Sequence, residues 1–136
     1  MTGKQLFKFG LHSNVLIVTP YGPFDQFRDN DFRYAYNEAY RLLSEPGVCH
    51  LLVDFSHLDY FGSTFVSILL RLSQKARNSK GEAALCHLSD NMRGMLKTLM
   101  LLENPKIDFS MSSHVTREVA LQYLADVSSR TNKKSE

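Results

Sequence analysis

The chain has 136 residues, 43% of them hydrophobic and 11% aromatic, enough to close one core and too few for two comfortable domains. Its formal charge of +2 gathers at the end, where the last nine residues, SSRTNKKSE, hold three basic side chains against one acidic. The balanced body excludes a global field for nucleic acid, and without a leader-like N-terminus or 18 consecutive apolar residues the chain reads as soluble and cytoplasmic, with no direct membrane insertion.

In chain order, LFKFGLHSNVLIVTPYG supplies two short strands, Leu6 to Leu11 and Asn14 to Pro20, around a His-Ser-Asn turn at hairpin spacing. The period then changes: Phe32, Tyr36, Ala39, Tyr40 and Leu43 recur at helical intervals until Pro46-Gly47 stops the run. VCHLLVDF is a near-continuous apolar stretch, as expected of a central strand buried on both faces. From Thr64 a helix carries Val66, Leu69, Leu70 and Ser73 along one side as far as ARNSKG, and EAALCHL follows as a strand.

SDNMRGMLKTLMLLENP is expected as a helix with Ser89 or Asp90 as N-cap, closing at Asn104-Pro105. KIDFS is then a strand, and SSHVTREVALQYLADV a last helix capped by Ser112 or Ser113. A single domain over residues 1–127 and a mobile charged tail over 128–136 complete the expectation. The order ββαβαβαβα implies right-handed crossovers and an α/β fold with a mixed, mostly parallel sheet, the first hairpin contributing the antiparallel pair.

Catalytic signatures are missing. The chain has no G-x-x-x-x-G-K-[ST] phosphate loop, no GxGxxG and no G-x-S-x-G elbow, since Phe65 stands where that elbow needs glycine. Cys49 and Cys86 lie in apolar runs with neither a CxxC nor a zinc spacing and read as buried structural thiols. His12, His50, His57, His87 and His114 show no ligand spacing, so no metal and no cofactor is expected. Asp54 and Asp59 are carboxylates that could flank a cleft, and Asp54 reads first as a strand-end residue capping or turning the backbone.

Two loops are expected at the carboxyl ends of parallel strands, where α/β sheets gather function: TPYGPFDQF and SHLDYFGSTF. Ser63 and Thr64 fall in the first turn of a helix, which favours an anionic oxygen. An N-cap role for Ser63, worth about 1 kcal/mol over alanine, accounts for the serine but not for its bulky apolar company, Tyr60, Phe61 and Phe65.

HLLVDFSHLDYFGSTFVSILLRL resembles the core of the sulfate transporter and anti-sigma factor antagonist (STAS) domain: a hydrophobic strand, Asp-hydrophobic-Ser, a spacer, then Asp-Ser-[Ser/Thr]-Gly-hydrophobic at a helix start. YGPFD resembles the Gly-x-hydrophobic-Asp after the second strand of such domains, and the likeness spans about residues 6 to 126. It implies a non-enzymatic antagonist in transcription regulation and signal transduction, associating with an anti-sigma factor that is also a serine protein kinase. The phosphorylated hydroxyl would be Ser63, with Thr64 as second choice on local chemistry. Partner contacts would come from Asp25, Phe61, Gly62, Phe65 and, on the next helix, Met92.

Gly62 replaces the motif's aspartate and Phe65 its glycine. That departure favours a second expectation, a STAS docking subunit of a larger complex, such as a lipid transporter or signalling assembly, without a phosphoswitch. A homodimer is compatible with exposed apolar residues near the loop. A third class, an acyl-transfer enzyme using Ser63, requires a histidine within reach of its hydroxyl.

Overall fold

The computed structural model describes residues 6–21, 28–58, 62–102 and 111–135. Nine elements follow one another: β1 (Phe7–His12), β2 (Val15–Pro20), α1 (Asp29–Leu43), β3 (His50–Asp54), α2 (Ser63–Asn78), β4 (Ala83–Cys86), α3 (Asp90–Thr98), β5 (Ser112–His114) and α4 (Arg117–Ser135). The strands form one sheet in the order β1-β2-β3-β4-β5, with β1 antiparallel to β2 and all later neighbours parallel. This is the expected α/β architecture.

Every residue of β2, β3 and β4 is buried, because helices cover both faces of the sheet. The alternation of strand side chains sorts them into two cores. Leu16, Val18, Leu51, Val53, Ala83 and Leu85 face the main core, which also takes in Ala39, Leu69, Leu72, Met92 and Leu96 from α1, α2 and α3. Val15, Ile17, Leu52, Ala84 and Cys86 face the other way, where α4 contributes Ala120 and Leu124. The stripe that α2 buries is Phe65, Ile68, Leu69, Leu72 and Ala76, with Val66 and Leu70 only half-buried. Ser73 joins it because its hydroxyl donates to the Leu69 carbonyl at 2.8 Å. Across the outer surface, Arg71 lies over the Tyr36 ring and Lys75 over that of Tyr40, joining α2 to α1.

Three expectations are corrected. α3 ends at Thr98 instead of running to Asn104-Pro105, since Leu99 caps it and Met100 turns left-handed at φ 61°. Ser112 and Ser113 do not cap the last helix; they form β5 beside Ala84 and Leu85, and the Thr116 hydroxyl instead accepts from the Val119 N–H at 3.2 Å. The domain boundary expected at Val127 falls inside α4, and Ser128, assigned to a mobile tail, accepts from the Asn14 amide at 3.0 Å and lies 2.7 Å from His50 Nε2. The strand expected at KIDFS lies outside the described residues.

Among the described side chains of α4, Ala120 and Leu124 are fully buried and Leu121 and Tyr123 partly so, and polar contacts supplement them. At one end of the sheet Arg117 reaches Asp54; at the other Ser128 meets His50 and Asn14; between them the Tyr123 hydroxyl donates to Glu82 Oε1 at 2.6 Å. His50 has a defined tautomer. Its Nδ1 accepts from the Glu82 backbone N–H at 3.0 Å, so the ring proton sits on Nε2 and donates to the Ser128 oxygen. The connection from α2 into β4 is as tight: a Cβ on Gly81 would lie 1.8 Å from the Cys49 carbonyl oxygen.

Two measurements test this packing. Gly81→Ala forces backbone apart and is expected to cost about 3 kcal/mol by denaturant unfolding, the upper range for overpacking. Gly94→Ala, at an exposed site in α3 with open space around it, is expected to gain about 0.5–1 kcal/mol. Burial lowers the His50 pKa, against a smaller opposing pull from Glu82. The unfolded chain therefore takes up the proton first, so this contribution is complete above about pH 6.5 and is lost as pH falls from there through the lowered folded value. The denaturant midpoint is expected to drop between pH 7.5 and pH 5.5, and His50→Gln to flatten that drop; an equal drop in the variant refutes the assignment.

Candidate functional site

The carboxyl ends of β2, β3 and β4 open on one rim of the sheet, where the chain leaves each strand for a loop. Asp54 closes β3 and is buried. Its Oδ1 accepts from the Ser56 backbone N–H at 3.0 Å, turning the chain out of the sheet. Its Oδ2 receives Nε and Nη2 of Arg117 at 3.0 and 2.9 Å, and Nη2 also lies 3.4 Å from the Thr19 hydroxyl at the end of β2. Burial pushes the carboxyl upward, but the Ser56 N–H and the Arg117 guanidinium outweigh it and hold the pKa below the usual value. Asp54 is an ionised clamp, more than the simple strand-end residue its position suggests.

Beyond Ser56 the loop carries His57, whose ring stacks on Tyr21 from the end of β2, with centroids 4.7 Å apart. The two carboxyl-end loops therefore touch. Phe55, Ser56, His57 and Leu58 form one wall of an open groove of about 740 Å³, and His87, Leu88 and Ser89 after β4 form the other.

The loop enters α2 through Gly62, which is exposed and takes the N-cap position with extended backbone (φ −100°, ψ −170°) and no side-chain cap. Ser63 is the first helical residue, so it stands one position beyond the cap expected for it; Thr64 follows and is exposed. The first turn of α2 contains no acidic residue, leaving the positive end of the helix without a local counter-charge from its own turn.

Two expected partner contacts are corrected. Phe65 is 2% exposed, its ring edge-on to Phe7 at 5.8 Å and to Phe55 at 6.0 Å, so it belongs to the core and offers no surface to a visitor. Met92 is 1% exposed in the same core, because the Ser89 cap sets α3 so that this position faces inward. Asp25 and Phe61, like Asp59 and Tyr60, lie outside the described residues. Gly62, Ser63 and Thr64 thus stand together at the loop-to-helix junction. Sequence reasoning missed Arg117 and Thr19 entirely, for Arg117 meets Asp54 across 63 positions of chain and Thr19 across 98, and no local spacing signals either meeting.

Among the described residues no helix is long and apolar enough to cross a membrane. The chain shares its fold with an anti-sigma-factor antagonist (STAS) domain protein from Planctomyces limnophilus, at 20% identity and TM-score 0.68 over 88% of this chain and 97% of that one. It is similar to the anti-sigma factor antagonist SpoIIAA in its unphosphorylated form (15% identity, TM-score 0.70, 88% and 96% covered) and to the Bacillus cell fate determinant SpoIIAA in the phosphorylated form (14%, 0.64, 86% and 97%). A serine-to-glutamate variant of RsbS from Moorella thermoacetica matches at 13% identity and TM-score 0.73, over 90% of this chain and 97% of that one. At these identities the likeness is one of fold. The STAS domain family model matches residues 10–116, most of the chain, and together with the sheet order and the Asp54-Phe55-Ser56 turn this makes the chain a member of the STAS domain family.

Proposed function

We propose that this STAS domain is a non-enzymatic, cytoplasmic regulator that binds an anti-sigma factor with serine kinase activity and is released from it by phosphorylation of Ser63. The observation that carries the reading is the opening of α2: an exposed Gly62, a hydroxyl pair at the first two helical positions, and no acid in that turn. A phosphoryl group there adds about −1.5 to −2 charges beside the N–H groups at the positive end of the helix, which solvate it without rearrangement of the fold. The same group disrupts a close interface with an acidic partner by repulsion and bulk. Buried Phe65 supports this reading, since its ring is turned inward and does not shield the junction.

One observation favours a second reading, a docking subunit of a larger complex that binds without a phosphoswitch: Gly62 leaves the pair without the acid that the motif usually supplies. A Cβ at Gly62 meets nothing within 4 Å, so Gly62→Asp restores that acid without a steric cost.

The test is incubation with an antagonist-specific serine kinase and ATP, read by intact mass. One phosphoryl group is expected on wild type, none on Ser63→Ala, and a faster rate on Gly62→Asp. Modification that persists in Ser63→Ala and vanishes in Thr64→Ala moves the switch to Thr64. A wild type that gains no mass yet is retained by a transporter or signalling assembly establishes the docking reading instead.

A further inference from the structure

At the carboxyl end of the sheet Asp54 and Cys86 are direct partners in the parallel pairing of β3 and β4, so their side chains leave the same face of the sheet, the one covered by α4. In a continued strand the next residue, His87, would point to the opposite face. It does not continue the strand. His87 turns left-handed, at φ 59°, a conformation uncommon outside glycine, and its ring nitrogen comes within 4.8 Å of both the Cys86 sulfur and an Asp54 oxygen.

We propose that Asp54, Cys86 and His87 form a binding site for one divalent transition-metal ion of the zinc class. Carboxylate oxygen, thiolate sulfur and imidazole nitrogen are the donors such an ion prefers, and three protein ligands leave a coordination position open. That position lies on the side of the groove between the β3–α2 and β4–α3 loops, because His87 lines the groove and is exposed, and the buried Asp54 and Cys86 each directly precede a groove-lining residue, Phe55 and His87. The groove is the ion's route in. His87 is the ligand that moves, drawing its nitrogen in until one ion can bond all three donors at roughly 2.0–2.3 Å.

The surroundings suit the task. Arg117 occupies Oδ2 of Asp54 through both Nε and Nη2, so Oδ1, held in place by the Ser56 N–H, is the oxygen offered to the ion, and these outer groups orient it. Without a metal the Cys86 thiol keeps its proton; burial first, and then the Asp54 charge beside it, push its pKa up to about 12. A bound dication inverts this balance. The Cys86 S–H bond breaks, a sulfur–metal bond forms and one proton leaves for solvent, while Asp54 donates an oxygen lone pair and His87 a ring-nitrogen lone pair.

The test uses the reduced full-length chain and cobalt(II) alone as the probe. A thiolate-to-cobalt charge-transfer absorption is expected, saturating at one ion per chain and abolished by added zinc(II). Cys86→Ser is expected to lose the band. His87→Gly, which keeps the backbone turn without strain and removes only an exposed ring, is expected to weaken binding at least tenfold while circular dichroism stays unchanged. Cys49→Ser is expected to retain the band, since Cys49 belongs to another part of the sheet, beside Asn14. No band in the wild type, a band that follows Cys49 instead of Cys86, or an affinity indifferent to His87 each overturns the site, whatever the result of phosphorylation at Ser63.

Discussion

The arrangement turns on the buried carboxylate of Asp54. An ionised group in that position is costly unless paired and hydrogen-bonded, and here it is both. Each of its oxygens organises a different part of the molecule. Through Oδ1 it receives the Ser56 N–H and sets the direction in which the chain leaves β3 towards the hydroxyl pair; through Oδ2 it receives Arg117 and fixes the start of α4 against the sheet. Because the Arg117 side chain is 41% exposed, solvent screens the pair, and its value lies more in position than in net energy.

That distinction matters because, among the described residues, α4 is the helix that packs on the second face of the sheet. There Ala120 and Leu124 are fully buried and Leu121 and Tyr123 partly so, fewer apolar residues than the described helices of the other face contribute. Polar anchors spaced along the helix restrict where it can sit: Arg117 at the carboxyl end of β3, Tyr123 against Glu82, and Ser128 against His50 at the amino end of the same strand. A helix held at both ends of the central strand cannot slide along it without breaking a part-buried hydrogen bond. The register of α4, and with it the shape of the rim near Asp54, is thereby defined by directional contacts more than by apolar area.

Most of the sheet was legible because its signal is local. The unbroken apolar runs of β2 and β3 mean burial on both faces whatever the partner, and two short strands around Ser13-Asn14 can hardly do other than pair as a hairpin. The errors lie where local chemistry permits two outcomes and a distant contact chooses. Ser112 and Ser113 are good helix caps by type, yet pairing with β4 draws them into a strand and passes the capping role to Thr116. A charged, serine-rich ending looks unable to bury anything, but Ser128 finds its partners in Asn14 and His50, which no spacing relates to it. Cys86 and His87 gave no metal spacing for the same reason: their companion Asp54 arrives from a neighbouring strand.

Phe65 shows how a local departure from a motif can be read wrongly. Placed beside a hydroxyl pair in a glycine-bearing junction, a large ring suggests an exposed contact, and its substitution for the motif's glycine suggests a disturbed site. In the fold it is the innermost residue of the first turn of α2, wedged edge-on between Phe7 of β1 and Phe55 just past β3. A ring so held pins the start of the helix to the core from below, while Gly62 and Thr64 remain exposed above it. The glycine of the motif has no side chain to place in that corner; phenylalanine fills it, and its ring contacts tie the first turn of α2 to β1 and to the end of β3.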